Sequence, residues 1–184
     1  MKRSDLEHIL RACKGTTGEV EFIVIGSQAI LGRFPDAPRV LRASMEADVY
    51  PKFRPELSGD IEGSLGRYSQ FDQTFGYYAD GVSPETATLP PGWEQRLVPV
   101  CNENTNGTTG WCLDPVDIAY SKLAARREKD IAFVANLFRH HLLKPGAVRR
   151  LIEATPDTAL KSRLAEALAI CEQRARSSDT PTTT

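Results

Sequence analysis

One hundred and eighty-four residues, 41% hydrophobic and 26% charged, suit a globular protein of one domain, or of one core with a small appended unit. No apolar run reaches the ~18 residues that a membrane span needs, and the basic start at residues 1–8 has no apolar stretch behind it, so the chain reads as cytoplasmic with no membrane partner. The net charge of −1 is too small for tight non-specific binding to nucleic acid, but it hides an asymmetry: residues 1–120 hold 11 Lys and Arg against 17 Asp and Glu, a net of −6, and residues 121–176 hold 12 against 6, a net of +6. Two readings fit that division, a cleft for a metal and phosphates or two solvated surfaces of opposite sign.

Residues 5–14 place Leu6, Ile9, Leu10 and Cys13 on one face of an amphipathic helix, with Ser4 as its cap. After a turn at 15–18, residues 20–25 (VEFIVI) are dense in β-branched side chains and predict a central strand buried on both faces. It runs into Gly26 and Ser27, a short helix at 28–31 and a loop at 32–38 that carries two prolines. Residues 40–50 predict a second strand stopped by Pro51, residues 60–68 are weakly helical, and residues 75–82 predict a third strand closed by Ser83 and Pro84. Residues 96–101 and 110–113 predict two more strands joined by a polar loop. Cys101 and Cys112 flank that loop, but with no CxxC spacing and no secretion signal the four cysteines read as reduced thiols.

At Asp114 the texture changes. Asp114 at an N-cap, Pro115 at the first helical position and Asp117 in the first turn start a helix predicted to run to His140. His140 and His141, adjacent and without companion cysteines, fit an exposed helix end better than a metal site. Two helices follow at 147–154 and 158–176, and residues 177–184 read as a disordered tail. The organisation is a mixed core over 1–113, a helical part over 114–176, and the tail. Short irregular connections between the strands argue against a regular doubly wound array.

Two features of the core carry chemistry. Glycine at 26 lets backbone come close to a ligand, and Ser27 opens a helix whose free N–H groups favour phosphate; the plain alternative is a tight turn. Glu46 and Asp48 stand two apart in a strand, so their carboxylates share a face and repel. A divalent cation resolves that repulsion, and oxygen ligands of this kind suit Mg²⁺ or Mn²⁺; the plain alternative is a solvated edge. In the back half, ~100° per residue brings Lys122, Arg126 and Lys129 within about 40° of one another, a basic ridge able to meet a triphosphate, with Asp130 on the same side. An ordinary salt-bridged surface explains that ridge as well. No Walker A, GxGxxG or GxSxG sequence is present.

A hydrophobic strand, Gly26 and Ser27, then Glu46-Ala47-Asp48 resembles the polymerase-β-type nucleotidyltransferase superfamily. With Arg42 and Ser44 before the acids, and Lys122, Arg126 and Asp130 on the later helix, the chain resembles the AbiEii-type nucleotidyltransferase-like toxin family over roughly residues 20–138. It departs from that pattern in a longer gap between Ser27 and Glu46 and in Glu rather than Asp as the first acid. The resemblance implies an α+β fold, with a mixed β-sheet core, flanking helices and a helical C-terminal part. It implies transfer of a nucleotide from a nucleoside triphosphate to an acceptor hydroxyl, at the 3′ end of a tRNA or on a protein, by a toxin with a cognate antitoxin. It assigns the metal to Glu46 and Asp48, the nucleotide to Gly26, Ser27, Arg42, Lys122 and Arg126, and catalysis to Glu46, Asp48, Lys122 and Asp130; the family's third metal carboxylate is not obvious, and Asp80 is either the candidate for it or an ordinary turn aspartate before Gly81. The competing reading is a catalytically inactive nucleotidyltransferase-like module that binds a nucleotide or a protein.

Overall fold

The computed structural model describes residues 1–177, so the tail predicted at 177–184 falls, from 178 onward, outside the described residues. The chain divides into two compact units, Met1–Ala87 with Glu94–Asp114, and Thr88–Trp93 with the chain from Pro115. The fold is α+β: a five-stranded mixed sheet with flanking helices, followed by a helical unit.

The first unit opens with helix α1 (Arg3–Thr17), whose buried face is Leu6, Ile9, Leu10 and Cys13 and whose C-terminus closes on Gly18 in the left-handed region. Strand β1 (Glu21–Ile25) follows, then a 3₁₀ turn (Ser27–Ala29) and the four-residue helix α2 (Ile30–Arg33). Next come strand β2 (Glu46–Pro51), helices α3 (Ser58–Leu65) and α4 (Gln70–Phe75), and strands β3 (Tyr78–Gly81), β4 (Val98–Val100) and β5 (Thr109–Cys112). The sheet order is β3-β2-β1-β5-β4. β1 therefore lies at the centre, antiparallel to β2 and parallel to β5, which accounts for its unbroken apolar run Phe22–Ile25.

Register and alternation sort the side chains into two faces. Val24, Val49, Ala47 and Ala79 share one face with Gly110 and Cys112. Leu10 of α1 packs on Gly110, where a Cβ would meet its Cδ1 at 2.6 Å, and α2 sets Gly32 against Cys112. Glu46, Asp48 and Tyr50 point to the opposite face, together with Tyr78 and Asp80 of the neighbouring strand. The two helices thus cover one side of the sheet and leave the carboxylates on the other.

The second unit contains α5 (Pro115–Ala125), α6 (Glu128–Arg139), α7 (Pro145–Glu153) and α8 (Thr158–Ser177). Val134, Leu137, Val148, Ile152, Leu164 and Leu168 form its core, and the Tyr120 hydroxyl meets Thr155 Oγ1 at 2.9 Å.

Four expectations are corrected. The helix predicted to run from Asp114 to His140 breaks after Ala125: Arg126 adopts φ +54°, its N–H closing on the Lys122 carbonyl at 2.9 Å. The carbonyl of Arg127 then accepts from Asp130 N at 2.9 Å to begin α6, whose first turn holds Glu128 and Asp130. The strand predicted over 40–50 shrinks to Glu46–Pro51, since Pro38 leads into a 3₁₀ turn at Arg39–Leu41 and Pro51 pairs with Phe22 inside the ladder. The strand predicted from 75 begins at Tyr78, because Ser69 caps a helix there: its Oγ accepts from Asp72 N at 3.2 Å. The weakly helical stretch at 60–68 begins earlier and ends at Leu65.

Candidate active site

Gly26 sits at φ +67° and ψ −162°, a backbone region that in practice only glycine occupies. The need for glycine is doubled by its neighbour. An ideal Cβ on Gly26 would fall 1.7 Å from Asp48 Oδ2 and 2.8 Å from Asp48 Cγ. Pairing of Ile25 with Asp48 in the β1–β2 ladder sets this up, placing the carboxylate directly beside the strand end. Ser27 and the short turns behind it carry little helix dipole, so the bend offers close backbone and a hydroxyl more than a macrodipole. Gln28 is only 1% exposed, and neither its Nε2 nor its Oε1 has a hydrogen-bond partner. Leaving such groups unpaired costs on the order of 1–3 kcal/mol each.

Parallel pairing with β3 puts Glu46 beside Tyr78 and Asp48 beside Asp80. The Tyr78 hydroxyl donates to Glu46 Oε2 at 2.9 Å, and the Glu46 N–H donates to Ser44 Oγ at 3.2 Å. Burial, and then the Glu46 acceptor and its charge, push the Tyr78 phenol up to about 12. Asp80 faces a different neighbour. Burial, followed by a hydrogen bond to Glu62 and that residue's charge, raises its carboxyl above the ordinary value. Glu62 in turn accepts from Gly81 N at 3.1 Å, so it caps the free edge of β3. Among the described residues no three His, Cys, Asp and Glu side chains form a group that could hold a metal ion. Asp48 abuts the bend and Glu46 stands two residues before Asp48 on the same sheet face, and Mg²⁺ commonly takes one or two carboxylates and completes its shell with phosphates and water.

A family model described as a nucleotidyltransferase of unknown function (DUF6036) matches residues 4–168. The chain belongs to this nucleotidyltransferase family. No curated protein and no solved structure matches it.

In this nucleotidyltransferase the remaining candidates separate. Within the helical unit, Lys122 Nζ lies 3.0 Å from Asp130 Oδ1 and 4.7 Å from the centre of the Phe133 ring. Asp130 is 4% exposed, and its Oδ2 is buried without a hydrogen-bond partner. Arg126 and Lys129 do not join Lys122 in a ridge, because the break at 126 puts them outside a common helix; Arg126 instead pairs with Glu166 on α8 at 3.1 Å. Arg42 spends its Nε on the Ala37 carbonyl and so stiffens the loop before β2. His140 and His141 are exposed, as the helix-end reading requires, and all four cysteines are free. Two residues that touch the acids, Tyr78 and Glu62, carry no signal in the linear sequence. Each reaches its carboxylate across a ladder or an edge whose pairing no local pattern specifies. Among the described residues, no helix is long and apolar enough to cross a membrane.

Proposed function

We propose that this nucleotidyltransferase moves a nucleotide from a nucleoside triphosphate to an acceptor hydroxyl, with a divalent cation held by Glu46 and Asp48. The observation that carries the reading is Asp48 Oδ2 packed onto Gly26, whose φ of +67° favours glycine. The cation suits the donor set, two hard carboxylate oxygens on one sheet face. When bound, Mg²⁺ or Mn²⁺ supplies neutralisation of phosphate charge and polarisation of the α-phosphate.

The rest follows from the chain itself. Backbone at Gly26 and the Ser27 hydroxyl receive the phosphates. Within the helical unit, Asp130 holds the Lys122 ammonium in one place. The acceptor oxygen bonds to the α-phosphorus, the bond to the bridging β-oxygen breaks, and pyrophosphate departs with the electron pair while the acceptor proton is lost to solvent. The likeness of Arg42–Asp48 and Lys122–Asp130 to AbiEii-type toxins supports a tRNA 3′ end or a protein hydroxyl as acceptor, and an antitoxin as partner.

One observation favours a second reading. Asp80 is tied to Glu62, and no third carboxylate completes a metal group among the described residues, as in a module that binds a nucleotide without transferring it. Incubation with labelled nucleoside triphosphate and candidate acceptors separates the two. The wild-type protein is expected to incorporate label only with Mg²⁺ or Mn²⁺. Asp48→Ala is expected to lose at least about 100-fold in rate while melting within a few degrees of wild type. Label incorporated equally by Asp48→Ala defeats the enzymatic reading. Calorimetric binding of the triphosphate that ignores Mg²⁺ favours the module.

A further inference from the structure

We infer that Tyr78 is the positioning residue for Glu46, holding its carboxylate in the one arrangement that accepts a divalent cation beside Asp48; this rests on the proposed cation-binding role of the two acids. The first acid is a glutamate, one methylene longer and one torsion freer than an aspartate. A free side chain of that length samples many positions, and a hard, small cation tolerates few. The structure removes the freedom with one contact. Tyr78 is the register partner of Glu46 on parallel β3, and its hydroxyl donates to Oε2 at 2.9 Å. Oε1 takes no hydrogen bond from any described residue, so the anchor leaves an oxygen for a ligand.

A phenol suits the task. It donates a single hydrogen bond, brings no charge to cancel that of the acid, and reaches across a ladder that a serine would not span. The strand that presents it is fixed on both sides of this point. Tyr78 N donates to the Met45 carbonyl at 3.0 Å, and the hydroxyl of the preceding Tyr77 meets His8 Nδ1 at 2.9 Å. Partners in this outer position orient metal ligands, and their loss ordinarily weakens metal affinity by about 10- to 100-fold.

The test is a double-mutant cycle on the full chain, read as Mn²⁺ affinity from the electron paramagnetic resonance of the free ion, with no nucleotide present. Tyr78→Phe is expected to weaken Mn²⁺ binding about tenfold with little change in melting temperature. In Glu46→Asp, whose carboxylate is drawn back from the phenol, adding Tyr78→Phe is expected to change affinity less than about twofold. Tyr78→Met, which keeps bulk without a donor, takes the place of Tyr78→Phe if that variant does not fold. Equal Mn²⁺ affinity in wild type and Tyr78→Phe overturns the inference while leaving the acid pair standing. So does the same loss in both backgrounds, which marks a general packing effect. Wild-type protein that binds no Mn²⁺ overturns the cation reading itself, and the positioning role with it.

Discussion

Glu62 and Asp80 face each other as two carboxyl groups at the edge of β3, and one of them must keep a proton or both must repel. The fold therefore holds the Asp80 proton beyond the pH at which an unfolded chain, near about 3.9, releases it. Its contribution to stability is complete below the unfolded value and is lost as pH rises through the folded one. Glu62→Gln removes the like charge, offers Asp80 an amide donor, and keeps an oxygen for Gly81 N. Melting curves of this variant should coincide with wild type near pH 3 and lie above it by a margin that grows through the carboxylate range and then levels off. A margin independent of pH would show that the two carboxyls do not interact. At Gly26 the sequence leaves open a close approach to a ligand or a tight turn; the neighbouring Asp48 oxygen shows that the missing Cβ is space a carboxylate occupies.

At the scale of elements, apolar patterning located α1, β1, α7 and α8 to within a few residues, because each buries a regular stripe or a continuous run. It failed between α5 and α6. Ala124 through Lys129 contains no Gly or Pro, so nothing local announces a break; Arg126 takes the left-handed conformation because α6 must turn back to pack on α5 and α8. That origin has a measurable consequence. Arg126→Gly should shift stability by less than about 0.5 kcal/mol, since relief of the left-handed strain offsets the exposed pair with Glu166 and the added chain entropy. Arg163→Gly, inside α8, should cost about 1 kcal/mol. Thermal or urea melting reads both, and equal losses would restore the continuous helix. The start of α4 is fixed by the Ser69 hydroxyl, which accepts from Asp72 N, and the strand predicted from 75 begins only after this helix ends.

Across the whole molecule the two units keep separate cores, and the thiols report on both. Cys13 and Cys112 are buried in the first and Cys171 in the second, while Cys101 is exposed. Burial raises the Cys13 thiol and pushes Cys112 and Cys171 up to about 12, so all three are shielded and protonated at neutral pH. A thiol reagent such as DTNB should therefore modify one cysteine rapidly in the native protein and all four after denaturation. Two or more fast thiols would mean that one of the cores is not packed as described.

From the residues alone came the order of the five strands along the chain, the glycine–serine bend and the pair of acids two apart, because each is written in neighbouring positions by period, by glycine and by charge. The polymerase-β-type likeness came from those same positions, and the family match over residues 4–168 agrees with it at the level of nucleotidyltransferase. Folding supplied the rest: that Asp48 abuts Gly26, that Glu46 is held by Tyr78, that Asp80 turns to Glu62, and that Arg126 leaves the helix of Lys122. Each of these depends on strand order, on register or on the docking of one helix against another. Contacts between residues distant in sequence set such features, and no window of neighbouring residues contains them.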